Sequence, residues 1–249
     1  MKSVYINQSD GSPLLLQTPW MSSYSGISLP PPEYADPDKP KYSVNWSVDG
    51  FDDTQSDAGA FYQTLLNIDE RILHEAKNNP MEWFRKRSVS VDVLKSAMFN
   101  PQVKFRMDKE TGEEMTHSPP TFKASVPYYD HQWKCAVFDA EKNKHTEKLD
   151  EVAGGQRMQM RAILQCKCIW FVSGRFGCSW KILQLEFQEN DNGGQSVYSF
   201  RQESEQTKMI QETPDLNIES NVNIVIEEVV EETEEIDDCV DDCLDSDLE

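Results

Sequence analysis

The chain has 249 residues, of which 27% are charged, and a formal net charge of −20. Residues 188–249 hold 20 acidic and 2 basic side chains, which leaves 24 acidic and 22 basic for residues 1–187, a net charge of −2. Residues 1–187 are therefore nearly neutral, and the net charge of −20 does not exclude a polyanionic partner for this segment. No apolar run of 18 residues and no signal-peptide pattern occurs, which predicts a soluble intracellular protein without a membrane partner.

Short strands and turns dominate the first 50 residues. Residues 4–8 and 13–18 are predicted strands around the turn "SDGS", and a proline-rich connection covers 29–40. Residues 41–48 alternate between apolar and polar side chains, which predicts a half-buried strand whose inward residues are Tyr42, Val44, Trp46 and Val48.

A helical insertion is predicted at about 58–98. Its first helix covers 58–78 because apolar residues recur at helical spacing, with Asp57 as the N-cap and Pro80 as the stop. A second helical stretch covers 90–98, and strands resume at 121–126 and 131–139. Residues 139–155 are charged and suit a loop or a short exposed helix. This order indicates a mainly β fold, a barrel or sandwich with helical insertions.

Residues 157–187 form a long predicted β-hairpin that turns at "SGRFG". The even-numbered residues of 158–172, including Trp170, form an apolar core face. The odd-numbered residues of 157–171 form a face that is basic at one end and aromatic at the other. On the returning strand, Leu183, Leu185 and Phe187 form one apolar set and Trp180 lies opposite with Ile182.

Cations beside aromatic rings on strands favour single-stranded nucleic acid, because cations follow phosphates and rings stack on unpaired bases. The same composition is expected of an OB-fold binding face, whereas a duplex would favour a basic helix. Ordinary core packing explains some of these rings equally well. The predicted contact residues are Lys104, Arg106, Lys123, Tyr128, Tyr129, Trp133, Lys134, Arg157, Arg161, Lys167, Arg175, Phe176, Trp180 and Lys181.

The sequence predicts no metal site, no cofactor and no enzymatic activity. Cys166 and Cys168 lie two apart in a strand pattern, which indicates core thiols, and the four His offer no matching zinc spacing. Asp49, Asp52 and Asp53 suit turns. No P-loop, deaminase, nucleophile-elbow or zincin motif occurs.

Four segments resemble a family encoded by large nucleocytoplasmic DNA viruses, itself distantly similar to the single-stranded DNA-binding proteins of short-tailed phages. They are "YINQSDGSPLLLQTPWM", "KYSVNWSVDG", "LLNIDERI" and "CIWFVSGRFGCSWKILQLEF". The resemblance implies an OB-fold-like domain over 1–187 that coats single-stranded DNA in replication, recombination and repair, in a viral factory of the host cytoplasm or in the host nucleus. The phage tails end in an aromatic residue, whereas this chain ends Leu248-Glu249.

Residues 188–226 are predicted to be a polar linker, and 227–249, with 13 acidic residues, a disordered acidic tail. We expect the tail to compete with DNA and to recruit a polymerase, helicase or primase. The residues assigned to this partner contact are Glu234, Glu235, Asp237, Asp238, Asp241, Asp242, Leu244, Asp245, Asp247, Leu248 and Glu249. A purely solubilising tail, or an acidic adaptor that binds basic partners, stays open, and so do a homo-oligomer and a preference for DNA over RNA.

Overall fold

The computed structural model describes residues 3–8, 10–28, 40–139, 141–145, 157–188 and 222–227. Its helices are α1 Asp57–Asn78, α2 Pro80–Phe84 and α3 Val91–Val93, and α3 continues into a π-helical turn, Leu94–Met98. Its strands are β1 Ser3–Gln8, β2 Leu15–Gln17, β3 Met21–Ser28, β4 Tyr42–Ser47, β5 Phe99–Asn100, β6 Val103–Lys104, β7 Thr121–Val126, β8 Tyr128–Tyr129, β9 Gln132–Trp133, β10 Ala136–Phe138, β11 Met158–Val172, β12 Arg175–Gln188 and β13 Val222–Glu227. No helix among these residues is long and apolar enough to cross a membrane.

Five of the strands close into a barrel. Its circular order is β3, β4, β7, β12, β11 and back to β3, with every pairing antiparallel except that of β7 with β12. The parallel pairing consists of a single registered pair, Lys181 with Ser125, so the barrel is partly open there. A partly open five-stranded barrel is the OB-fold arrangement, and the predicted mainly β, OB-fold-like class is confirmed.

The barrel interior is apolar because alternate residues of each strand point inward. Val44 and Trp46 of β4 and Phe122 of β7 are fully buried, as the alternation in 41–48 predicts for β4. Helix α1 covers this core with one apolar stripe, and its Phe61 ring meets Phe122 edge to face at 5.5 Å. The interior is therefore filled by side chains, and ligands can reach only the outer faces of the strands.

The N-cap of α1 is Ser56, so the predicted Asp57 cap is wrong by one residue. Ser56 Oγ accepts a hydrogen bond from the Gly59 amide at 2.9 Å, and Asp57 is the first helical residue. A serine hydroxyl and an aspartate carboxylate cap equally well, so sequence preference does not separate these neighbours.

Strand β3 is missing from the sequence interpretation, because Met21–Ser28 is rich in serine and has Ile27 as its one β-branched residue. At the other end of the chain, β13 pairs with β1 over six residues, from Val222 opposite Gln8 to Glu227 opposite Ser3. The last residues of the predicted linker, 222–226, are therefore strand. Apart from Gln188, its other residues lie outside the described part of the chain, as does the predicted acidic tail after Glu227.

Candidate nucleic-acid interface

The outer face of β4, β7 and β12 is polar and carries two lysines. Lys123 of β7 lies opposite Asn45 of β4, and Ser125 lies opposite both Ser43 of β4 and Lys181 of β12. Registered partners point to the same side of a sheet, so these side chains share one surface. Neither lysine forms an ion pair with any residue that the structure describes. We call this surface the lysine face.

Lys104 extends the lysine face at the start of β7. It lies opposite Thr121, whose hydroxyl donates to the Lys104 carbonyl at 3.3 Å. Thr121 and Lys123 are alternate residues of one strand, so Lys104 points to the same side as Lys123. The structure thus brings Lys104, Lys123 and Lys181 together from segments that are far apart in the sequence.

An aromatic cluster lies where β4 begins and β7 ends. The ring centroids of Tyr42 and Trp133 are 4.4 Å apart, and those of Tyr128 and Trp133 are 4.7 Å apart. The turn between β8 and β9 brings these rings together, with Asp130 and His131 both at positive φ, as a two-residue type I′ hairpin turn requires. All three rings are half-buried, so each keeps part of its surface toward solvent.

The cluster adjoins the lysine face. A small pocket of about 20 Å³ is lined by Lys41, Tyr42, Ser125 and Tyr128 together with neighbouring backbone. Tyr129 is exposed beside the cluster, and the exposed Lys134 donates to Gln132 at 3.4 Å. Sequence reasoning assigned Tyr42 to the core because it follows the same alternation as Val44. Tyr42 does pack against that core, and its half-buried ring also contacts Tyr128 and Trp133 of the β8–β9 hairpin.

The arginines of the β11 outer face are engaged within the protein. Arg161 forms an ion pair with Glu186 at 2.7 Å, and its guanidinium lies 4.8 Å from the ring of Trp20. Arg157 lies 5.0 Å from the ring of Tyr24. Both were predicted as phosphate contacts, but each is already close to a group inside the fold.

Phe176 and Trp180 are buried in the core, which corrects their prediction as stacking residues. Leu183 has no partner on β11, because Ile163 pairs with Gln184 while Leu164 pairs with Ile182. This bulge places Trp180 and Ile182 on the same buried side as Leu185. A single uninterrupted alternation puts Trp180 opposite to Leu185, and that expectation is wrong.

A second bulge at Lys167 divides β11. Before it, the even-numbered residues face the main core; after it, Ile169 and Phe171 join that core instead. Trp170 is buried as predicted, but it packs with Cys168 and Tyr5 in a separate cluster. The aromatic end of the predicted binding face is therefore core. Arg175 is exposed at the hairpin tip, and Arg106 is exposed close to the turn before β7.

A hydrogen-bond network holds β12 against α1. Trp180 Nε1 donates a hydrogen bond to Gln102 Oε1. Gln102 in turn donates two hydrogen bonds to Asp69, from its side-chain Nε2 to Oδ1 at 2.6 Å and from its backbone N–H to Oδ2 at 3.2 Å. Burial raises the pKa of Asp69 to about 7, against the lowering effect of the Gln102 hydrogen bonds. The network fixes Trp180, and with it the neighbouring Lys181 on the opposite side of the strand.

The cysteines are core thiols, in line with the sequence. Cys166 and Cys178 lie on neighbouring strands with their sulfurs 3.3 Å apart, and the hydrogen bond between the two thiols, then burial, raises the pKa of Cys178. The described part of the chain has no group of three or more His, Cys, Asp or Glu side chains arranged to hold a metal ion. Cys239 and Cys243 lie outside it.

A family model matches residues 60–200, more than half of the chain. The chain belongs to the DUF5871 family, a family of unknown function. The match begins within α1 and runs through β12, so it includes Lys104, Lys123 and Lys181 of this DUF5871 protein. A comparison with curated protein sequences gives no match.

Among solved structures, the DUF5871 chain is similar to the single-stranded DNA-binding protein of bacteriophage Enc34 in complex with single-stranded DNA, with a TM-score of 0.41 and 15% identity over 71% of this chain and 87% of that one. It is also similar to the single-stranded DNA-binding protein of bacteriophage T7, with a TM-score of 0.39 and 12% identity over 82% of this chain and 97% of that one.

Proposed function

We propose that this protein binds single-stranded DNA without sequence preference, through the lysine face and the aromatic cluster. The supporting observation is the lysine face itself, on which Lys123 and Lys181 form no ion pair with the described residues. Ser125 of the same face lines a pocket with the half-buried rings of Tyr42 and Tyr128. A buried ion pair would keep such cations from a ligand, whereas open lysines can exchange their counterions for phosphates.

The chemistry of the surface suits an unpaired strand. Lysines attract phosphates whatever the base, and each base stacked on Tyr128, Tyr129 or Trp133 contributes about 1–3 kcal/mol. Two of the three strands that carry this surface, β4 and β7, are the second and third of the barrel in chain order, where OB-folds bind oligonucleotides. A duplex would call for a basic helix, and α1 is not basic, because Asp57, Asp69, Glu70 and Glu75 outnumber Arg71 and Lys77.

The acidic tail acts as a competitor in this proposal. Residues 228–249 follow β13 directly and carry 12 acidic side chains with no basic one. A tethered polyanion is present at high effective concentration near the lysine face and is displaced when DNA binds. The displaced tail then becomes accessible to basic surfaces of a polymerase, helicase or primase. In this role the protein coats single strands during replication, recombination and repair of a viral genome.

The test compares the full chain with a chain that ends at Glu227, which keeps β13. Fluorescence anisotropy with a labelled oligothymidine of about 20 nucleotides at low salt should give binding by both chains and tighter binding by the shorter one. A duplex of equal length and an RNA of equal sequence serve as competitors and report strand and sugar preference. Failure of the shorter chain to bind the oligonucleotide contradicts the proposal.

An acidic adaptor that binds basic proteins through its tail is the second candidate, and the concentration of acidic residues in the last 23 positions favours it. It predicts that a labelled polylysine peptide binds the full chain and not the chain ending at Glu227, while neither chain binds the oligonucleotide. Binding of the oligonucleotide by the shorter chain would separate the two functions.

A further inference from the structure

A run of three cations follows α2 directly. Arg85, Lys86 and Arg87 are all exposed, and none of them forms an ion pair with a residue in the described ranges. Two backbone hydrogen bonds connect these residues to α2. The Arg85 N–H donates to the Met81 carbonyl at 3.0 Å, and the Lys86 N–H donates to the Pro80 carbonyl at 3.2 Å. Arg85 has a φ of 55°, the left-handed conformation that ends a helix in this way. We call the three residues the basic triad.

The basic triad is held at the tip of the β11–β12 hairpin. The Phe84 ring lies 5.1 Å from Phe176, and the Trp83 ring lies 5.6 Å from Phe171 and 6.1 Å from Phe176. Phe176 is fully buried and follows the exposed Arg175 in the chain. Aromatic packing therefore fixes the triad and Arg175 at the same end of the barrel.

That end is also the end at which Lys104 lies. Because β12 runs parallel to β7 with Lys181 beside Ser125, Arg175 lies slightly beyond the level of Thr121, where β7 starts. Lys104 is the registered partner of Thr121. A single strand of DNA that starts at the aromatic cluster and follows Lys181, Lys123 and Lys104 thus arrives at the hairpin tip.

A role in fold stability does not account for all three charges. One cation near a helix C-terminus gains from the helix dipole, but α2 has only five residues and the effect fades within a turn. Three consecutive like charges with no ion pair in the described structure repel one another and favour an anionic partner.

We propose that the basic triad binds phosphates of a single strand after it leaves the lysine face past the hairpin tip. This inference rests on the proposed function and extends its surface by up to three phosphate contacts. The ligand chemistry is the sugar-phosphate backbone, since the triad adds cations and no exposed ring. The path then has an order: rings at one end, three lysines across the barrel, and the triad at the other end.

The experiment measures the affinity of the full chain for oligothymidines of about 5 and about 20 nucleotides, one near the lower end of the site sizes of single OB-folds and one above their upper end. The variant is Arg85→Ala with Lys86→Ala and Arg87→Ala. Its affinity for the longer oligonucleotide should fall on the order of tenfold, and the slope of log affinity against log salt should fall by up to about 2. The affinity for the shorter oligonucleotide should stay within about twofold, because it fits on the lysine face alone.

The matched control is Lys109→Ala with Lys142→Ala and Lys144→Ala, which removes the same charge from three exposed positions that are not among the proposed phosphate contacts. It should change neither affinity by more than about twofold. A thermal melt checks that both variants are folded.

The outcomes separate this inference from the proposed function. If wild type binds neither oligonucleotide, the proposed function fails. If wild type binds the longer one and the triad variant binds it equally well, with the same salt slope, the inference alone is overturned. It is also overturned if the triad variant binds both lengths more tightly and no longer responds to removal of residues 228–249, because the triad then serves the acidic tail.

Discussion

The lysines of the lysine face and the arginines of β11 look alike in the sequence and differ in the fold. Lys123 and Lys181 lie on strands that pair at the open side of the barrel, among serine and asparagine side chains. Arg161 lies on a strand whose registered partner, Glu186, neutralises it. A cation on a strand is available to bind phosphate only if the residue opposite it on the neighbouring strand does not neutralise it. The periodicity of the sequence does not show which residue that is.

The largest expected effect concerns the support of β12, on which the lysine face depends. Counted from its value near pH 4, the stability of Asp69→Asn relative to wild type should increase until about pH 7 and then level off. The unfolded carboxyl ionises above its ordinary pKa of 3.8, whereas the folded one stays protonated up to about 7, so wild type loses stability over this window. The difference should reach about 4 kcal/mol, at about 1.4 kcal/mol for each tenfold change in ionisation constant.

Urea titrations of both chains at several pH values measure this difference, because the other carboxyls contribute equally to each. A difference that does not vary with pH would mean that Asp69 ionises alike in both states.

The next largest effect tests the lysine face directly. Lys123→Ala with Lys181→Ala should weaken binding of oligothymidine at least tenfold at low salt and reduce the salt slope by about 1.4, since each phosphate contact on a single strand contributes about 0.7. Lys109→Ala with Lys142→Ala is the charge-matched control and should leave both quantities near wild type. An unchanged slope in the Lys123 and Lys181 variant would remove the distinction between the two groups of cations.

The smallest expected change in affinity comes from Arg161 and Glu186, and it tests most directly whether an ion pair keeps a cation from binding DNA. Arg161→Ala should change the affinity less than twofold, because this guanidinium is already paired with a carboxylate. Glu186→Gln should tighten binding by about twofold to threefold, because it frees Arg161 and removes a negative charge, and exposed ion pairs are worth only about 0–1 kcal/mol. Anisotropy titrations of both variants check this, and a large loss of affinity in Arg161→Ala would place Arg161 among the DNA contacts.

Much of the fold was predictable, because it depends on local patterns. The alternation of Val44 and Trp46, the helical spacing in α1 and the apolar residues of 158–166 each point to the element found. Strand β3 was not predictable, because its pairing with β4 and β11 compensates for a serine-rich sequence. The bulges at Leu183 and Lys167 were not predictable either, because each is fixed by register against the neighbouring strand.

The sequence predicted the types of residue in the candidate site better than it predicted which individual residues form it. Lys104, Lys123, Tyr128 and Trp133 were named from aromatic and basic residues in nearby segments. The structure places Lys104 and Lys123 on one face of the sheet and packs Tyr128 against Trp133 beyond the end of β7. Phe176 and Trp180 carry the same composition signal, yet they fill the core. Tyr42 and the basic triad were overlooked, since one follows a core alternation and the other lies in the helical insertion.

The pairing of β13 with β1 also determines which backbone groups lie at the edge of the sheet. Without β13, the outer edge of β1 would present free backbone donors and acceptors, which are a template for joining another sheet. With β13 in place, these donors and acceptors of β1 are paired over six residues, and the edge of the sheet moves outward to β13.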